Sequence, residues 1–194
     1  MRQKIGSLGA EIKTQATILG GFVAIIWALE IVDVILRGSL DYFGILPRTI
    51  VGLRGILFAP FLHVGFAHVA ANTVPFLILG WLVMLRGTKD FFAVSIISAF
   101  ISGAGTWAFG RPAIHIGASG MIFGYLGYLL FRGYFERSIV GITLSIVVGM
   151  MYGGLIFGVL PGQVGISWEG HLFGFIGGAI AAKLLTEQKG SSEL

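Results

Sequence analysis

Residues 115–127 read HIGASGMIFGYLG, a serine set among glycines (Gly117-Ala118-Ser119-Gly120) where a long apolar run begins. A hydroxyl gains little in lipid, and each glycine beside it weakens a helix by about 1 kcal/mol. A chain that keeps them there has either a packing surface or a serine with chemical work to do. The surrounding composition decides the solvent. Of 194 residues, 56% are hydrophobic and 11% charged, against roughly 25% charged in soluble domains. With a mean hydropathy of +0.91, the chain reads as an all-α membrane protein. Its net charge of +4 comes from Lys and Arg that stand singly at the ends of apolar runs. They read as interfacial anchors, and no nucleic-acid partner is expected. The absence of cysteine excludes disulfides, thiolate metal sites and a cysteine nucleophile.

Outward from Ser119, apolar runs of spanning length lie at 17–36, 68–86, 91–109, 117–132, 138–160 and 168–186. A hydrocarbon layer of ~30 Å asks for about 20 residues, so six transmembrane helices are expected. They make a membrane domain over 17–186, with tails at 1–16 and 187–194. No small-residue cleavage site follows the first run, which favours a retained span over a removed signal peptide. Between the first two runs, residues 37–62 hold Pro47, Pro60 and three arginines, with short apolar pieces such as GILFAPFL. Such pieces cannot span, so this first loop should lie on the bilayer or dip into it. With the N-terminus inside, nine Lys and Arg fall on the cytoplasmic side and four (Arg37, Arg48, Arg54, Arg111) outside. The positive-inside tendency then puts both termini in the cytoplasm.

Depth groups the polar residues. Asn72 lies 14 residues from Arg86, Ser119 lies 13 from Arg132, and His171 lies 12 from Lys183. At ~1.5 Å per residue these are roughly 21, 20 and 18 Å above the inner boundary, one level about 10 Å below the outer surface. Glycine stripes at 117, 120, 124 and 127, and at 170, 174, 177 and 178, would let the fourth and sixth helices approach closely. A lone serine in a membrane helix usually bonds to a neighbour, whereas an ionisable residue inside a span is functional by default. Together, Ser119 and His171 suggest a nucleophile and its general base. His115, four residues before Ser119, is a rival base. His68 and Asn72 share a face of the second helix, where donors could hold an oxyanion; a cap that ties down the loop is the simpler reading for His63. Glu30 and Asp33 should be solvated or bonded to the loop. There is no HExxH for a zinc protease and no G-x-S-x-G elbow.

Six spans, H-x4-H-x3-N at the second helix, GASG at the fourth and GH-x2-G-x3-G at the sixth resemble the rhomboid intramembrane serine proteases of the basic bacterial type. The likeness covers residues 17–186. It implies a multi-pass protein of the bacterial plasma membrane, acting without metal or cofactor on transmembrane-protein substrates within the lipid bilayer. The same resemblance implies Ser119 as nucleophile and His171 as base, in a dyad with no required acid. His68, Asn72 and the Ser119 backbone N–H would form the oxyanion hole. Gly117 would keep the backbone tight, Phe123 would pack on the His171 ring, and His63 would hold the first loop. VGLRGILFAPFLHVG matches the half-submerged first loop, and VLPGQVGISW would be a mobile cap. The alternative is a non-proteolytic relative that binds or escorts client transmembrane helices.

Overall fold

The long apolar runs close into helices because, in lipid, a helix satisfies every backbone group within the segment. The computed structural model describes residues 2–162 and 165–192. Two residues of the expected cap, Gln163 and Val164, lie outside them, as do Met1, Glu193 and Leu194 at the ends of the expected tails. Among the described residues the chain forms seven α-helices: α1 (Arg2–Ile35), the short α2 (Gly55–Phe58), α3 (Gly65–Met84), α4 (Thr88–Phe109), α5 (Ser119–Glu136), α6 (Ile139–Tyr152) and α7 (Trp168–Ser192). A 3-10 helix, Gly153–Val159, continues α6. Helix α1 begins at Arg2, well before the apolar run that announced it.

Among the described residues, four stretches are long and apolar enough to cross a membrane: Leu8–Ile35, Gly65–Met84, Thr88–Phe109 and Ile139–Val159. Helices α5 and α7 fall short of that apolarity because glycine, tyrosine and charged residues dilute them. Their place in the bundle explains why. Helix α5 is buried along most of its length by α3, α4, α6 and α7, so its surroundings are protein more than lipid.

Glycine sets the α5–α7 distance. A Cβ on Gly174 would meet the Gly120 backbone, one on Gly178 the Gly124 carbonyl, and one on Gly127 the Phe175 carbonyl. The two backbones are therefore in direct contact. Helix α4 closes the third side, where Ser102 Oγ donates to the Gly170 carbonyl at 2.8 Å. Helix α1 docks on α3 through Phe22 stacked on Phe76 at 4.3 Å, and through the Trp27 indole N–H donating to Thr73 Oγ1 at 3.1 Å.

Two of the expected interfacial anchors are not anchors. Arg86 pairs with Asp90 at 2.9 Å and with Glu136, and Arg132 pairs with Glu136 at 3.0 Å, all largely buried. Their partners come from the first turn of α4 and from the end of α5, so the charges neutralise one another inside the bundle rather than reaching to headgroups. Of the two acids on α1, Asp33 accepts the Leu40 N–H at 2.6 Å, and so is bonded to the loop as expected. Glu30 instead is buried, not solvated.

The first loop is clipped to α4 and to the chain ahead of α5. The Arg48 guanidinium donates to the Gly110 carbonyl at 2.8 Å, the Trp107 indole to the Thr49 carbonyl at 2.8 Å, and Ile45 forms an antiparallel bridge with His115. At its start, burial and the nearby Asp33 carboxylate push Asp41 up from 3.8 to about 6. The folded chain thus holds that proton more tightly than the unfolded one. Its contribution to stability is complete below about 3.8 and is lost as pH rises through about 6. Asp41→Asn should raise the thermal midpoint at pH 7.5 and flatten its rise on acidification to pH 5. An unchanged pH dependence would mean that water solvates this carboxylate.

Candidate active site

One cleft of about 960 Å³ collects polar side chains from separate segments: His68 and Asn72 on α3, Ser119 at the start of α5, His171 on α7, and the 3-10 helix at Leu155, Phe157 and Gly158. The turn that delivers Ser119 needs glycine. Gly117 has φ +123°, and a Cβ there would lie 2.8 Å from His68 Cε1 and 2.9 Å from its Nε2. The Gly117 N–H donates to the Ala59 carbonyl at 2.9 Å, and the Ala118 N–H donates to His63 Nε2 at 3.3 Å. His63, buried, therefore fastens the first loop directly to the turn preceding Ser119.

Ser119 Oγ lies 2.9 Å from His171 Nε2. The other ring nitrogen, Nδ1, lies 2.9 Å from the Gly158 carbonyl. A carbonyl only accepts, so Nδ1 carries the proton and Nε2 turns its lone pair to the serine hydroxyl. Phe123, one turn along α5, stacks on the imidazole with centroids 4.0 Å apart and planes within 8°. Ring plane and tautomer are both fixed, as a base facing a nucleophile requires.

The donors around the pair follow from similar reasoning. His68 Nδ1 accepts the Val64 N–H at 3.3 Å, which leaves the His68 proton on Nε2, beside Gly117. Asn72 Nδ2 is buried and has no hydrogen-bond partner among the described residues. The Ser119 amide belongs to the first turn of α5, where no intrahelical carbonyl is available. An orphaned donor on the cleft wall is costly unless something negative comes to it.

His115 is not placed as a base. Its Nδ1 sits 2.7 Å from Ser167 Oγ and its Nε2 accounts for a bond to the Arg111 carbonyl at 3.0 Å, so both nitrogens are engaged. Ser167 in turn caps α7, accepting the Gly170 N–H at 3.4 Å. His115 thereby braces the helix that carries His171. A separate small cavity of about 30 Å³ touches Ser119 from the side of Ser102, Thr106, His115 and Ser167, enough for about one water.

Sequence reasoning missed several participants. Ser167, three residues before Gly170, gave a readable capping signal. The Gly158 carbonyl gave none, because a backbone acceptor has no residue identity. Nor did the pairing of buried Glu169 with Arg111, whose N–H it accepts at 3.1 Å across the fold. Among the described residues, no group of three or more His, Cys, Asp or Glu could hold a metal ion.

A family model described as Rhomboid domain matches residues 51–188. The chain is 42% identical over 174 residues to an uncharacterized protein of Mycobacterium tuberculosis, spanning 85% of this chain and 72% of that one. It is 33% identical over 133 residues to the putative rhomboid protease YdcA of Bacillus subtilis, covering 66% and 65% of the two chains. With rhomboid protease GluP of the same organism it shares 31% over 129 residues, 64% of this chain and 24% of that protein.

Proposed function

The chain belongs to the rhomboid family, and from that premise we propose that it is an intramembrane serine protease. It hydrolyses a peptide bond in or next to the transmembrane segment of another membrane protein. The observation that carries this reading is the 2.9 Å contact of Ser119 Oγ with an imidazole nitrogen whose opposite nitrogen faces a carbonyl. Ser119 attacks the substrate carbonyl while His171 Nε2 takes its proton and then gives it to the leaving amine. The oxyanion is held by Asn72 Nδ2, His68 Nε2–H and the Ser119 N–H. A water, for which the polar cavity behind Ser119 has room, then hydrolyses the acyl-enzyme.

The arrangement proposed in the bilayer has six spans, with α5 and α7 crossing at the centre of the bundle. Residues 17–186 form the membrane domain, flanked by cytoplasmic tails at 1–16 and 187–194, in a bacterial plasma membrane. The first loop would be half submerged. Its outward side carries Tyr42, Ile50 and Leu57, all exposed, and these would face acyl chains. A role in binding client helices without cleaving them has less support, since such a role needs neither the paired Ser119 and His171 nor an orphaned amide beside them.

Purified protein incubated in detergent with a reporter containing one transmembrane segment tests the proposal. Cleavage near the outer end of the reporter's span, located by mass spectrometry, is expected; a cut at its cytoplasmic end would reverse the topology. Asn72→Ala should lower kcat by about 10²-fold, and at most ~10³-fold, the scale of one lost oxyanion donor. KM should change little. A folded Asn72→Ala enzyme with full kcat would make Asn72 a structural residue.

A further inference from the structure

Resting on the protease reading, we infer that Glu30 of α1 caps the N-terminus of α3 from the neighbouring helix. It is thereby a positioning residue for His68, whose Nε2–H is one of the oxyanion donors.

A carboxylate buried inside a span needs a reason. Glu30 is 2% exposed, and neither oxygen has a hydrogen-bond partner of normal geometry among the described residues. The charged groups that act on it, Asp33 and Asp41, are acids as well, so no cation balances it. What it lacks lies at the start of α3. Helix α1 runs antiparallel to α3, with Phe22 on Phe76, then Trp27 on Thr73 and on Phe66. The next turn of α1 brings Glu30 level with the beginning of α3, where the Gly65 N–H faces its carboxylate. Helix α3 has no cap of its own: Val64 makes no side-chain cap bond, and the first turn holds no acid. Its first N–H groups have no intrahelical acceptor and present the positive end of the helix dipole. The usual remedy is Ser, Thr, Asp or Asn just before the helix. Here an orphaned anion from α1 stands where that residue's oxygen would.

The same turn sets His68. The Val64 N–H donates to His68 Nδ1 at 3.3 Å, which fixes the ring and leaves its Nε2–H beside Gly117. When the Val64–Gly65 turn frays, that bond breaks and the ring swings, and the donor leaves the position of the oxyanion. Asn72, two turns further along α3, stays in place. Glu30 itself does not line the cleft, so it acts through His68 and touches no substrate.

The test is a double-mutant cycle on the full chain in detergent, with a transmembrane reporter as substrate. Glu30→Ala should lower kcat about 10-fold, short of the ~10²–10³-fold scale of one lost donor, with KM little changed. In a His68→Ala background the same substitution should cost less than about 2-fold, because the donor it holds is already gone. Side-chain 15N spectra of labelled histidine, of which the chain has four, give a second readout. In Glu30→Ala the His68 Nδ1 signal should move toward that of an unbonded nitrogen, with the His171 signals unchanged. Should Glu30→Ala fail to fold, the isosteric Glu30→Gln enters the same cycle. It keeps an acceptor but loses the charge, and kcat should fall about 3-fold, again only where His68 is present. Equal factors in the two backgrounds, or an unmoved His68 signal, would overturn the inference and leave Glu30 a residue of stability alone. A wild type that neither cleaves the reporter nor labels with a fluorophosphonate would instead overturn the protease reading, and the His68 signal would still decide for or against the cap.

Discussion

Ser119→Ala is expected to abolish cleavage, by at least about 10⁴-fold, while the protein keeps its thermal midpoint and elutes as wild type does. Loss of one hydroxyl at the first residue of α5 removes the proposed nucleophile and one hydrogen bond to His171. It leaves the Gly117 turn, the His63 contact and the α5–α7 packing in place. His171→Ala should be nearly as damaging, and the double variant no worse than either single one, because nucleophile and base act as a unit and their losses do not add. Reporter cleavage followed by gel and mass spectrometry measures all three. Robust activity in folded Ser119→Ala would remove the assigned nucleophile. A double variant worse by the product of the single effects would mean that the two residues act separately. His115→Ala is the control: its ring bonds to Ser167 and the Arg111 carbonyl, so any loss should track a lower thermal midpoint.

The second large effect is on the fold. Gly178→Val places a branched side chain where even a single Cβ would overlap the Gly124 carbonyl and lie 2.7 Å from the Tyr128 nitrogen. Backbone on both sides of the contact cannot yield as a flexible side chain would. Helices α5 and α7 must separate, and Ser119 and His171 ride on those two helices. Overpacking typically costs 1–3 kcal/mol and more where backbone is the obstacle, so roughly 3 kcal/mol or more is expected from a total stability of about 5–15. The variant should aggregate or unfold at much lower temperature in detergent, with no measurable activity. Gly20→Ala and Gly21→Ala on α1, where a Cβ meets nothing within 4 Å, should be neutral or slightly stabilising. If Gly178→Val unfolded no earlier than those two, the close approach of α5 and α7 would not be what holds the bundle.

Much of this was legible in the sequence, for identifiable reasons. Each apolar run lies on a helix, because length and apolarity are additive properties of a segment and need no knowledge of its neighbours. Counting residues from charged ends put Asn72, Ser119 and His171 at a common level, and the structure gathers those three around one cleft. The glycine stripes foretold the α5–α7 contact, since a missing side chain at a repeated spacing has a packing meaning in lipid. What escaped depends on partners remote in the chain. Arg86 and Arg132 read as anchors because a cation ending an apolar run normally is one; Glu136 lies one turn from Arg132 on α5, but only the fold brings it to Arg86 as well. His115 looked like a possible base from its place four residues before Ser119. Its true partner, Ser167, comes from beyond α6. The Gly158 carbonyl was invisible in principle, because every residue has one and only geometry says which one faces His171.

The most direct measurement is peptide mass spectrometry of the protein after treatment with a fluorophosphonate, which reacts with a serine only where a base activates it. The expected result is a single adduct on Ser119 in wild type, with the adduct absent from His171→Ala. An adduct on another serine, or one on Ser119 that forms equally fast without His171, would contradict the assignment of this pair as nucleophile and base.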